Sequence, residues 1–227
     1  MVTQLSHHKV IPAWLAPYLD EASLSRVEQA VAEAEHPTTG EIVPMIIRRS
    51  AGGFYPTPLL LTAYCLVCVV AYELWHYDGW NVWSEWIVLA VFLAGMAGVR
   101  WFSRTPFARR MFLSPMDLTT LVEQQAAVEF LGSGVGRTKG QTGILLLLSL
   151  EDHRAVVLGD TAIAAKVPQS DWDQAIGSIV KGMRSRDLGA GMVEAIQRCG
   201  KILSEHFPET SPRNVNELAN RLIIRDH

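Results

Sequence analysis

"TGILLLLSLEDHRAVVLGD", residues 142–160, is the stretch on which the fold turns. A continuous apolar run that starts at a glycine and ends at a polar turn is the pattern of a strand buried on both faces. We expect a strand over 143–150, a turn at "EDHR", and a second strand over 155–159, joined as a hairpin. Such a hairpin cannot bury both faces alone, so other elements must cover it.

Directly before it lies "GSGVGRTKGQTG", residues 132–143, rich in glycine and carrying Arg137 and Lys139. A phosphate-binding P-loop reads GxxxxGK[ST], follows a strand and opens a helix. Here the order is Lys139-Gly140, and the stretch follows a helical pattern and precedes a strand. Its amides do not sit on a helix N-terminus, the source of an anion site, so we exclude a P-loop. A helix-to-strand loop with left-handed glycines is the simple reading; Arg137, Lys139 and Thr142 are the residues through which it could meet an anion or a partner.

Further outward, "SPMD" at 114–117 reads as the start of a helix with Ser114 as cap and Pro115 in the first turn. Leu118, Leu121, Val122, Gln125 and Val128 mark its face. Behind the hairpin, Ser170 and Asp173 read as the cap of a helix whose apolar face carries Trp172, Ile176, Ile179, Val180 and Met183. "SRDLGAG" interrupts it. A last helix carries Leu188, Met192, Ile196, Cys199 and Leu203 and stops at Phe207-Pro208, leaving a polar tail with one apolar patch at 222–224. Near the N-terminus, Ser25 and Glu28 fit a capping box, and Leu24, Val27, Val31 and Ala34 recur at helical spacing. "EIVPMIIRR", 41–49, reads as a strand, with Pro44 pointing to an edge or a bulge.

Between the two flanks, residues 50–72 carry no charge, and a second apolar run spans 83–102. A helix of about 20 residues covers the ~30 Å of a bilayer core. We expect a transmembrane hairpin over 51–103, with helices at about 58–75 and 83–102. Five of the seven tryptophans, Trp75, Trp80, Trp83, Trp86 and Trp101, fall at the edges of these runs, as an interfacial belt would place them. The connecting loop has no Lys or Arg, whereas Arg48, Arg49, Arg100, Arg104, Arg109 and Arg110 flank the pair. The positive-inside rule then puts both termini in the cytoplasm, in an inner or plasma membrane. No N-terminal stretch reads as a signal peptide. Gly95 and Gly98 come close to a GxxxG helix-contact motif without completing it.

The order is helix, strand, membrane hairpin, helix, strand, strand, helix, helix. The strand ahead of the hairpin and the strands behind it need one another. We therefore expect one α/β sandwich built from residues 1–50 and 104–208, with the hairpin inserted and 209–227 as a tail.

Composition narrows the function. The chain has 227 residues, 49% hydrophobic, with a net charge of −3 and no long basic run, so nothing calls for nucleic acid. Cys65 and Cys68 form a CxxC inside an apolar run without a second ligand pair, which fits small apolar side chains better than zinc or redox chemistry. No histidine has metal-ligand spacing, and no nucleophile elbow is present. The acids at the ends of elements are Glu41, Asp117, Asp152 and Asp160. Glu41, Asp152 and Asp160 are the candidates for a pocket or a metal; Asp117 reads as a helix-terminus acid.

"TGEIVPMII", the block 142–176 and "LGAGMVEAIQRCGKILSEHFP" together resemble the TPM-domain family. That family includes a plant thylakoid-lumen protein described as an acid phosphatase and tied to photosystem II repair. It also includes an animal receptor-modulating protein and many bacterial membrane proteins. The resemblance covers the two flanks and is nearest to the bacterial branch with an inserted transmembrane pair. It implies an α/β sandwich. It also implies, in members thought to bind calcium or act on phosphate, an acidic loop of the type G-D-x-x-x-D-N-G. This chain has "GRTKGQTG" there: Arg137 and Thr138 replace an acid and Thr142 replaces the Asn. Two cations disfavour a divalent ion, whose ligands are oxygens and usually carboxylates. We therefore expect no cofactor and no metal, with calcium disfavoured. The expected role is a binding or assembly module on the membrane, with the bilayer and other membrane proteins as partners. Its rivals are a TPM-family phosphatase and a structural subunit that makes contact through its transmembrane helices.

Overall fold

The computed structural model describes residues 11–50, 57–77, 85–105, 107–108, 111, 115–209 and 217–226. The chain divides into two compact units: Met1–Gly52 with Thr119–His227, and Gly53–Leu118.

The first unit is built on a four-stranded sheet. Its strands are β1 (Glu41–Ile47), β2 (Gly143–Ser149), β3 (Arg154–Gly159) and β4 (Ile223–Arg225), in the spatial order β3-β2-β1-β4. β1 runs parallel to β2 in register Glu41 to Gly143 through Ile47 to Ser149, and β3 returns antiparallel on β2. The flank ahead of the apolar pair and the flank behind it thus share one sheet, as the element order requires. Every residue of β1 and β2 is buried.

Alternation along these strands sends side chains to two cores. Ile42, Ile46, Ile144, Leu146, Leu148 and Val157 meet α1 (Glu21–Glu35), α6 (Asp173–Arg184) and α7 (Leu188–His206) through Val31, Ile179 and Ile196. Val43, Met45, Ile47, Leu145 and Leu147 meet α4 (Pro115–Ser133) through Val122, Ala126 and Phe130. The result is an α/β sandwich with helices on both faces. Where α1 crosses α7 the two backbones come close: a Cβ on Gly200 would lie 2.6 Å from the Cβ of Ala34. The sandwich also contains a short helix, α5 (Thr161–Ala164), and 3-10 turns at Val135–Arg137 and Gln169–Trp172.

Several local expectations change. α1 begins one turn before the Ser25–Glu28 box, because Asp20 caps it by accepting the Ser23 N–H at 2.7 Å. Ser170 lies inside the 3-10 turn rather than capping α6. Ser114 lies outside the described residues, and α4 begins at Pro115. The buried side of α4 is Val122, Gln125, Ala126, Glu129 and Phe130, while Val128 is 63% exposed and on the solvent side.

β1 is an interior strand, not an edge, yet Pro44 sits where the ladder can do without its N–H. Ile42 N donates to Glu35 Oε1 and Arg48 N to Arg225 O, so even-numbered amides of β1 face the β4 side. Pairing with β4 starts only at Met45, opposite Ile223. Pro44 therefore lacks a donor at a position with no strand to receive one. β4 itself falls in the stretch read as a tail.

The second unit holds α2 (Thr57–Tyr77) and α3 (Glu85–Ser103), of 21 and 19 residues. Each contains an 18-residue window apolar enough to cross a membrane, with 0% and 6% of those windows buried. Leu66, Val67, Val70 and Val91 are among their exposed side chains. The helices pair antiparallel: Thr57 Oγ1 lies 2.8 Å from Ser103 Oγ, and Tyr64 stacks on Phe92 at 5.8 Å. Gly95 makes room for Tyr64, whose hydroxyl a Cβ there would strike, whereas Gly98 has nothing near it. Trp86 and Trp101 are exposed; Trp80, Trp83, Arg109 and Arg110 lie outside the described residues.

Candidate functional site

The three acids singled out in the sequence do not converge. Glu41 opens β1 and Asp160 follows β3, so both lie at one end of the sheet, where Asp160 N donates to Gly143 O at 2.9 Å. Asp152 lies in the turn at the other end.

Asp152 is 7% exposed and fully engaged by the fold. Its Oδ2 accepts from Ser50 N at 2.8 Å, Ser50 Oγ at 2.8 Å and Ser149 Oγ at 2.6 Å. It thereby fastens the exit of β1 to the β2–β3 turn. Beside it, Arg48 Nε meets Glu151 Oε1 at 2.7 Å. A carboxylate with three donors is well compensated for its burial.

The opposite end is acidic and less well supplied with donors. Glu41 is 4% exposed; its Oε1 accepts from Glu217 N at 3.1 Å, and its buried Oε2 makes no hydrogen bond. Burial raises its pKa, and the charge of Glu217 adds to this against the Glu217 and Leu218 amides. Glu35, at the end of α1, accepts the Ile42 N–H at 2.8 Å. Burial pushes its carboxyl up to about 8, and the charge of Glu41 pushes the same way. Asp160 caps α5, its Oδ1 accepting the Thr161 N–H at 2.6 Å; its Oδ2, also buried, makes no hydrogen bond.

The glycine loop runs past this end. Arg137 and Lys139 are exposed. Gly134 is left-handed at φ +82°, as a helix exit requires, and Gln141 shares that region at φ +53°. Thr142 is buried, and its hydroxyl donates to Thr39 O at 2.8 Å, joining the two flanks. It therefore serves the fold. The Lys139 N–H donates to Glu217 Oε2 at 3.1 Å.

Among the described residues, no group of three or more His, Cys, Asp or Glu is arranged to hold a metal ion. The loop's oxygen nearest the strand, the Thr142 hydroxyl, is already engaged. Cys199 offers no nucleophile: it is buried, and burial alone pushes its thiol up to about 12.

Glu35, Glu217 and Asn220 were not among the candidates. Glu35 had a signal in the sequence: it stands four residues after Val31 on the apolar face of α1, and at the helix end where the macrodipole disfavours an acid. Glu217 and Asn220 had none, because their role depends on a strand of three residues.

Residues 115–202 match the family model described as the TPM domain. No curated protein matches the chain. Among solved structures, the NMR structure of the BA42 protein from the psychrophilic bacterium Bizionia argentinensis is similar, with a TM-score of 0.55 and 18% identity. The alignment covers 91% of this chain and 95% of BA42, a likeness of fold.

Proposed function

We propose that this chain, whose residues 115–202 match the TPM domain, is a membrane-anchored binding or assembly module rather than a phosphatase. One observation carries the anchoring. β1 precedes the two apolar helices and β2 follows them, yet the two strands pair over seven residues. Whatever α2 and α3 cross, the chain must leave from and return to the same side. Their windows expose their apolar side chains, as spanning helices do in lipid, whereas the core helix of a soluble protein buries them. The arginine asymmetry supports an orientation with the sandwich and both termini in the cytoplasm.

The binding role rests on what the polar groups do. Asp152 fastens strands, Asp160 caps α5, Glu41 holds the C-terminal segment and Thr142 joins the flanks. Arg137 and Lys139 remain on an exposed loop and suit an acidic face of another membrane protein. Fusing a reporter that works only outside the cytoplasm to the C-terminus tests the orientation: we expect no signal, and activity would refute it. Cross-linking in intact membranes, with and without Arg137→Glu and Lys139→Glu, tests the loop. We expect membrane proteins cross-linked to the wild type and lost from the variant; an unchanged pattern would remove the loop from the interface.

A further inference from the structure

Residues 217–226 lie along β1 from one end of the strand to the other. Their far end is held by strand pairing at Ile223–Arg225, by Arg225 Nε on buried Glu129 at 3.2 Å, and by Arg48 Nη1 near Asp226 at 3.6 Å. The near end has no strand pairing among its described contacts. There Glu41 accepts the Glu217 N–H, Glu35 bonds Asn220, and the Lys139 amide bonds Glu217.

Three carboxyls meet at this near end: Glu35 from α1, Glu41 from β1 and Glu217 from the segment itself. The cation of the adjoining loop, Lys139, reaches Glu217 through its main-chain amide, and its side chain is exposed. Two neighbouring carboxyls, Glu41 buried and Glu35 half-buried, favour one proton between them over two charges. Glu41 is offered the Glu217 and Leu218 amides, yet its buried Oε2 makes no hydrogen bond.

We propose that residues 217–226 are a strap whose near end is latched by a proton held at the Glu35–Glu41 pair, so that raising the pH releases it from β1. With both carboxyls ionised, Glu35, Glu41 and Glu217 repel one another, and separation of the strap lets water reach them.

Trypsin cleavage after Arg221, inside the strap, tests this on the full chain in detergent. Cleavage after exposed Arg184, in the same sample, corrects for the protease's own pH dependence. If opening returns Glu35 to an ordinary carboxyl, the Arg221/Arg184 ratio rises by up to about tenfold per pH unit and levels off above about 8. Glu35→Gln keeps an acceptor for Ile42 and should leave the ratio flat. Glu217→Gln removes one of the three charges and should reduce the rise, a second reading should Glu35→Gln fail to fold. A flat wild-type ratio, or the full rise in either variant, would overturn the proposal.

Discussion

The two ends of the sheet bury carboxyls in opposite ways. At the β2–β3 turn one acid, Asp152, has three donors on a single oxygen. At the start of β1, Glu35 and Glu41 share a few main-chain amides and a third acid stands beside them. The number of donors aimed at a carboxyl, rather than burial alone, decides how firmly the fold holds it. The first arrangement locks the fold; the second leaves it responsive.

Removing the anchor should have the largest effect. Asp152→Ala strands the Ser50 amide and hydroxyl and the Ser149 hydroxyl, and we expect a loss on the order of 3 kcal/mol in chemical unfolding. Little change would mean that the two ends differ less than their hydrogen bonds indicate.

Glu35→Gln comes next, and its sign depends on pH. The Glu35 carboxyl titrates at about 8 in the folded chain, above the ordinary 4.5. The folded state therefore binds the extra proton between those values. The stability tied to that proton is complete below the ordinary value and is lost as pH rises towards about 8. Glu35→Gln should flatten this decline and, at pH 9, make the variant more stable than wild type. Melting curves from pH 5 to 9 would show it.

Thr142→Val removes the bond to Thr39 O between the flanks, and we expect a loss of about 1 kcal/mol. Arg137→Ala and Lys139→Ala, on the exposed loop, should stay within about 0.5 kcal/mol of wild type. A large loss from either would place that cation within the fold.

The sequence is legible where burial leaves a period. The run 144–148 and the alternation around it gave β2 and β3, and the apolar faces of α1, α6 and α7 were read from their spacing. β1 required one further step, that a lone strand needs partners, and Pro44 then fitted a local gap in pairing. What stayed hidden traces back to β4. Three residues in a polar stretch give no pattern, yet Arg225 is the partner of Glu129, and the segment before it engages Glu35 and Glu41. Without β4, α4 read as a helix with Val128 beside Gln125 on its inner face, whereas Val128 is exposed and Glu129 takes that side, bonded to Gln125 at 3.1 Å. The candidate acids were rightly placed at the ends of elements, but spacing does not say which end of a sheet each one reaches.

We propose that the buried acids serve the fold, and therefore expect no turnover of phosphoesters. The most direct test is hydrolysis of a generic phosphoester by the purified full chain, with calcium, magnesium, manganese or zinc added in turn. We predict no metal-dependent turnover, and no difference between wild type and Asp160→Ala or Glu41→Gln. Saturable, metal-dependent hydrolysis that disappears in Asp160→Ala while the variant still folds would contradict it.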